Sequence, residues 1–208
     1  MRIIPAILES NIKEVQNKLT LIDGLAELIQ IDIMDGKFVP QVSVKLKELA
    51  NLKHKTDLEV HLMVKDPEKY FAQAEKLKVK RVFWHYEATG DVESVIRKAK
   101  KYSFKNGLAI NPETPVEKII DLLDQFAAVL FLGVHPGKQG QSFIPETVAR
   151  IRQLRRLRPD LTIAVDGGVS EKTIKELKEA GVDDFIIGSA LVKTNNPAEK
   201  YQFFQSLL

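Results

Sequence analysis

The stretch LTIAVDGGVSEKTIKELKEAGVDDFIIG (161–188) decides the fold. It opens with a short apolar, β-branched run ending in an acid, LTIAVD (161–166), and closes with a second such run, DFIIG (184–188). Between them KTIKELKEAG (172–181) is an amphipathic stretch rich in Lys and Glu. A strand, a helix and a strand in this order form a βαβ unit, which belongs to a parallel sheet. Runs that are nearly all apolar suit strands buried on both faces.

The same alternation extends through the chain. Strand runs are predicted at RIIPAIL (2–8), AELIQIDI (26–33), DLEVHLMV (57–64), RVFWH (81–85), NGLAIN (106–111) and AVLFLGVH (128–135). Helical patterns lie between them: IKEVQNKLTLI, PEKYFAQAEKL, VESVIRKAKKY, PVEKIIDLL and PETVARIRQLRRL. The strand ends at 8, 32, 61, 85, 111, 135, 166 and 188 are spaced by 22 to 31 residues. Eight such units predict an α/β fold, a single (β/α)8 TIM barrel. Eight strands and about eight helices fill all 208 residues, so one domain over 1–208 is expected. An open doubly wound sheet carries about five or six strands and, for dinucleotides, a glycine fingerprint. No G-x-G-x-x-G follows the first strand.

Composition narrows the function. With 44% hydrophobic and 28% charged residues the chain reads as globular. No run approaches a spanning length, and MRIIPAILESN lacks the form of a secretory signal, so a cytoplasmic protein without a membrane partner is expected. The absence of Cys removes disulfides, zinc ribbons, iron–sulfur sites and thiol nucleophiles together. A net charge of +3 suits an anionic ligand such as a phosphate ester and is too weak to predict nucleic-acid binding. The densest basic run, Arg152, Arg155, Arg156 and Arg158, is interleaved with Ile151, Leu154 and Leu157 and reads as a solvated helix.

In a barrel of this kind chemistry gathers at the C-terminal strand ends. Here they carry Asp32, His61, His85, Asn111, His135, Asp166 and Ser189. So many polar groups on one rim are hard to explain by packing, because a buried polar group costs free energy unless it is paired. Asp32 and Asp166 end the second and seventh strands, across the barrel mouth. Two opposed carboxylates suit a reaction in which one face of a carbon loses a proton and the other gains one. They also suit a divalent metal, with His61 as an imidazole ligand. Gly167 and Gly168, Gly188 with Ser189, and the loop PGKQGQ (136–141) point to phosphate. Loops after strands 7 and 8 form the recurrent phosphate site of this fold, and glycine permits close backbone approach.

At these residues the sequence resembles the ribulose-phosphate 3-epimerase family, a metal-dependent TIM barrel of the ribulose-phosphate-binding type. The resemblance runs through PAILE (5–9), QIDIMDGKFVP (30–40), EVHLMV (59–64), DPEKY (66–70), HYEAT (85–89), LAINPETP (108–115), HPGKQGQSFIP (135–145), VDGGVS (165–170) and GSAL (188–191). It implies interconversion of ribulose 5-phosphate and xylulose 5-phosphate, with Asp32 and Asp166 as acid/base pair and metal ligands and His61 as a further ligand. It places the phosphate of a sugar-phosphate substrate on Gly137, Lys138, Gln139 and Gly140, with Gly167, Gly168, Gly188 and Ser189. Met34 and Met63 would line the pocket of the enediolate. A homo-oligomer is also expected by this resemblance.

Several positions depart from the family pattern. Gln30 stands where a metal-binding His is expected, and its amide oxygen is a weaker partner for zinc than imidazole. With Asp32, His61, Asp166 and Gln30 the cofactor is a divalent ion, Zn, Mn, Fe or Mg, with the oxygen-rich set favouring the last three. Ala6 replaces a substrate-contacting hydroxyl, Glu9 is new, Leu132 replaces a pocket Met, and His135 stands where Asn or Glu is common. Lys138 either supplies a cation in place of backbone donors or points to solvent. The alternative readings are a diverged lyase or isomerase acting on another phosphorylated sugar, such as a hexulose phosphate, and a non-catalytic phosphosugar-binding protein.

Overall fold

The structure is a computed structural model that describes residues 1–137 and 140–208. Eight parallel strands close into a barrel in chain order: β1 (Arg2–Ile7), β2 (Leu28–Met34), β3 (Asp57–Met63), β4 (Arg81–His85), β5 (Lys105–Ile110), β6 (Ala128–Leu132), β7 (Thr162–Asp166) and β8 (Asp184–Ile187). The seam is closed by pairing of β1 with β8, from Arg2 opposite Asp184 to Pro5 opposite Ile187. All eight predicted strands are present. Alternate residues face opposite ways, as the pleat requires. Ile29, Ile31, Ile33, Val60, Leu62, Val82, Trp84, Leu108, Val129, Phe131, Ile163 and Val165 join the layer under the helices. Ile4, Ala6, Phe83, Ala109, Leu130, Leu132, Ala164 and Ile186 fill the barrel itself. Gly107 makes room there: a Cβ on it would lie 2.4 Å from the Phe83 ring.

Helices α1 (Ile12–Ile22), α2 (Glu68–Lys76), α3 (Val92–Ala99), α4 (Glu146–Leu157), α5 (Ile174–Ala180), α6 (Ser189–Val192) and α7 (Pro197–Ser206) cover the outside. None is long and apolar enough to cross a membrane among the described residues. Asn11, Asp91 and Asn196 start α1, α3 and α7, each accepting a main-chain N–H with its side chain. One connection departs from its predicted helix, and one for which no helix was predicted holds a 3₁₀ turn. PVEKIIDLL forms 3₁₀ turns at Val116–Lys118 and Ile120–Gln125 instead of an α-helix. Between β2 and β3 the helical segment is the 3₁₀ turn Leu46–Asn51. In both turns buried residues lie three apart, Val116 and Ile119 in one and Leu46 and Leu49 in the other. Residues at i and i+3 eclipse in a 3₁₀ helix, and its ~2.0 Å rise spans a short connection in fewer residues.

The N-terminal floor of the barrel is ionic. Arg81, 4% exposed, donates from Nε to Glu59 Oε2 at 2.7 Å and from Nη1 to Asp184 Oδ2 at 2.7 Å. Arg2 adds a bond from Nε to Asp184 Oδ1 at 2.8 Å, and the Arg81 guanidinium lies 4.5 Å over the Phe83 ring. Charge at this end and apolar layers in the middle leave the opposite end for the site.

Candidate active site

Register brings the site together. In the pairing of β2 with β3, Asp32 stands opposite His61, and in that of β6 with β7, Leu132 stands opposite Asp166. The loop after β2 pins the Asp32 strand end: Ser43 Oγ donates to the Asp32 carbonyl at 2.8 Å and accepts from Met34 N–H at 2.8 Å. The side chains of Asp32, His61 and Asp166 each offer a ligand atom within 4.8 Å of the others. Asp32 and His61 are buried, and Asp166 retains 16% side-chain exposure.

Gln30 lies one residue pair deeper on β2 and is fully buried. Its Nε2 donates to Asp32 Oδ1 at 2.9 Å and to Asp166 Oδ2 at 2.8 Å, bridging the two carboxylates. His61 Nδ1 faces the same two oxygens at 3.4 and 3.5 Å. Gln30 and His61 therefore share one oxygen of each carboxylate. Burial drives the Asp32 carboxyl above its ordinary range, and the neighbouring Asp166 adds to it, while His61 and Gln30 oppose the rise. Burial also acts to lower His61, but Asp166 and Asp32 outweigh it and hold the imidazolium up to about 9.

The donor set suits a divalent cation. His61 Nδ1 and Gln30 Oε1 are buried without a hydrogen-bond partner among the described residues, beside two carboxylates. The Gln30 carboxamide presents its nitrogen rather than its oxygen to Asp32 and Asp166, so its assignment as a ligand requires a half-turn of the amide.

A cavity of about 410 Å³ opens above this cluster. Asp32, His61 and Asp166 line it with Met34, Met63 and Leu132. Its loops bring in Gly137, Gly140, Gly167, Gly168, Gly188 and Ser189, as well as Ala6 at the end of β1. Gly168, at φ +70, could not carry a side chain: a Cβ there would lie 2.7 Å from that of Phe143. Lys138 and Gln139 lie outside the described residues. Ser142, Ser170, Lys172 and Thr173 also line the cavity and were not anticipated. The signal for Ser170, Lys172 and Thr173 was the polar run SEKT (170–173) directly after GGV; Ser142 belongs to the loop HPGKQGQSFIP (135–145).

Three rim residues lie differently from expectation. His135 is not at the end of β6, which stops at Leu132; it lines the cavity from an exposed loop, paired with Glu113 at 2.9 Å. Beyond Leu132 the chain stays against β7: the Gly133 N–H bonds the Asp166 carbonyl at 2.7 Å, and a Cβ on Gly133 would meet the Gly167 carbonyl oxygen at 2.2 Å. His85 does not reach the cavity; it is fully buried behind His61, with the two Nε2 atoms 2.8 Å apart. Burial lowers its pKa to about 4, helped by the charge on His61 and opposed by Glu87. Glu9 pairs with Lys18 away from the cavity.

Comparison with known proteins agrees with this geometry. Residues 2–192 match the ribulose-phosphate 3 epimerase family. A ribulose-phosphate 3-epimerase of Mycobacterium bovis is 34% identical over 202 residues, covering 94% of this chain and 88% of that protein. One from Schizosaccharomyces pombe is 32% identical over 204 residues, covering 95% and 90%. The crystal structure of a 3-hexulose-6-phosphate synthase shares the fold with a TM-score of 0.76 at 15% identity, over 100% of both chains. With the family profile matched from the first strand to α6, the chain belongs to the ribulose-phosphate 3-epimerase family.

Proposed function

We propose that this protein inverts C3 of a ketose phosphate, interconverting ribulose 5-phosphate and xylulose 5-phosphate. The observation that carries the reading is the way the two carboxylates are held. Gln30 and His61 engage Oδ1 of Asp32 and Oδ2 of Asp166, which leaves the second oxygen of each carboxylate for the substrate. One aspartate removes the C3 proton, and the electron pair of the C–H bond moves into the C2–C3 bond as the C2 carbonyl becomes an enediolate oxygen. The other aspartate delivers a proton to the opposite face of C3, and the carbonyl re-forms. Such positioned groups contribute about 10²–10⁴-fold each.

Asp32, His61 and Asp166 would hold the divalent cation, which supplies Lewis-acid polarisation of the C2 carbonyl and offsets the enediolate charge. Met34, Met63 and Leu132 provide an apolar wall that limits water around the reacting carbons. The glycine loops around Gly137, Gly140, Gly167, Gly168 and Gly188 receive the phosphate, with Ser189 and the cation of Lys172 beside them.

The test is incubation with ribulose 5-phosphate in deuterated water after loading with Mn²⁺. Xylulose 5-phosphate carrying deuterium at C3 is the expected product, read by mass spectrometry. Phosphosugar binding without C3 exchange would refute the proposal.

A further inference from the structure

His85 and Glu87 take no part in the proton transfer above, yet they stand directly behind His61. We propose that they are positioning residues that fix the ring tautomer of His61, aiming its Nδ1 lone pair into the gap between Asp32 and Asp166. The inference rests on the reading of His61 as a cation ligand.

The chain of hydrogen bonds is anchored far from the cavity. Arg150, on α4, donates from Nη2 to the Asn111 carbonyl at 3.0 Å and also to that of Thr114. This clamps the turn after β5. The same turn supplies two donors to Glu87 Oε1, the Asn111 N–H at 2.9 Å and the Thr114 hydroxyl. The other oxygen, Oε2, faces His85 Nδ1 at 3.4 Å. Neither of these two buried atoms makes a shorter hydrogen bond among the described residues, and the Asn111 side chain is a further acceptor beside His85. An ionised carboxylate only accepts, so each atom is satisfied when His85 carries its proton on Nδ1.

The second ring nitrogen of His85 is then an acceptor. It lies 2.8 Å from His61 Nε2, a separation that holds one proton and not two. The proton therefore sits on His61 Nε2. The two carboxylates hold a second proton on His61 Nδ1; once a cation takes its place, the ring keeps its single N–H at Nε2 and the Nδ1 lone pair faces Asp32 Oδ1 and Asp166 Oδ2, at 3.4 and 3.5 Å. Three acceptors converge there, an arrangement that a cation completes. Both imidazoles are fully buried, and the Phe38 ring packs against His85 at 4.7 Å, so water does not supply an alternative donor. A carboxylate behind an imidazole that fixes its tautomer is a recurrent device around metal-ligating histidines. Here the carboxylate acts through an intervening second imidazole.

Glu87→Gln reverses the logic. Its amide oxygen stays with the Asn111 and Thr114 donors, and its NH₂ then faces His85 Nδ1, which becomes an acceptor. The proton shifts to His85 Nε2, His61 Nε2 becomes the acceptor, and His61 Nδ1 is protonated and closed to a cation. The experiment is long-range ¹H–¹⁵N correlation of the imidazoles in the metal-free protein, with assignments from His61→Asn and His85→Asn. The expected wild-type spectrum shows protons on His85 Nδ1 and His61 Nε2, with His85 Nε2 bare. A proton on His85 Nε2 in the wild type overturns the inference, whether or not the variant folds. In folded Glu87→Gln the His85 pattern inverts, and Mn²⁺ affinity by calorimetry falls about 10–100-fold. Unchanged affinity also overturns it. The expected tautomers in a protein that fails the C3 exchange test would refute the epimerase reading alone.

Discussion

Replacing Gln30 by His tests the centre of the site most directly. In the structure the Gln30 NH₂ group donates to Asp32 at 2.9 Å and to Asp166 at 2.8 Å, in a fully buried position. A cation that takes those oxygens must displace both donors. Hydrogen bonds to charged groups contribute about 1.5–3 kcal/mol each, so roughly 3–6 kcal/mol of existing interaction competes with metal entry. Turning the amide recovers part of this through its oxygen. A histidine at position 30 offers a ring nitrogen to the cation and carries no NH₂ to bridge the carboxylates. We expect Gln30→His to bind Mn²⁺ about 10–100-fold more tightly, or about 1.4–2.8 kcal/mol. Calorimetric titration measures this directly. Melting in saturating Mn²⁺ gives a second reading, since a shift of 2–4 °C per kcal/mol for a chain of this size predicts about 3–11 °C of added stabilisation. Equal affinity in the two proteins would show that residue 30 does not compete for the ion, and the account of Gln30 would be wrong.

Other outcomes follow from the same geometry. Asp32→Asn and Asp166→Asn should each cut turnover by about 10²–10⁴-fold or more with unchanged circular dichroism; near wild-type epimerisation in either one removes the two-carboxylate mechanism. Lys172→Ala should raise KM about fivefold with little change in kcat, the scale of one exposed ion pair near 1 kcal/mol, and an unchanged KM would place the phosphate elsewhere. Arg81→Leu leaves Glu59 buried without its partner and Asp184 with Arg2 alone, and should cost about 3–5 kcal/mol, lowering Tm by about 6–20 °C in a thermal scan. Burial pushes the Asp184 carboxyl up, but Arg2 and Arg81 outweigh it and hold it below its ordinary range. The native state thus binds fewer protons there than the unfolded chain. Its stabilisation is complete above the ordinary carboxylate pKa and is lost as pH falls through the native value. Asp184→Asn should therefore flatten the loss of stability below about pH 4 in acid titrations followed by denaturant unfolding.

The barrel was legible because its strands are buried on both faces, so each reads as a short apolar run whose polar terminus marks the rim. Asp32, His61 and Asp166 were found that way, with the glycines after β7 and β8. The inside of the barrel was not legible. Whether a residue points inward depends on the stagger between neighbouring strands, which a single strand does not reveal. His85 and His135 carried the same signal, yet one is fully buried behind His61 and the other lines the cavity from an exposed loop. Gln30 stood out as a missing imidazole, but its bridge between carboxylates on β2 and β7 depends on contacts 136 positions apart in the chain. The connection at 116–125 was misread because its apolar residues three and four apart resemble one face of an α-helix over so short a span, and the 3₁₀ turn at 46–51 was not predicted.

The ionic floor also bears on how the chain is made. Arg2 and Asp184 are separated by 182 positions, and their strands form the last seam to close. A growing chain presents β1 early and holds one edge of it unpaired until β8 emerges, with the closure entropy of nearly the whole chain still to be met. Unpaired edges on a half-built sheet invite association with other chains. A slip of one residue at this seam would turn Asp184 away from Arg81 and strand both charges in the interior. The floor thus acts as a proofreading step on assembly, penalising misregistered barrels at the one joint where sequence distance gives least guidance.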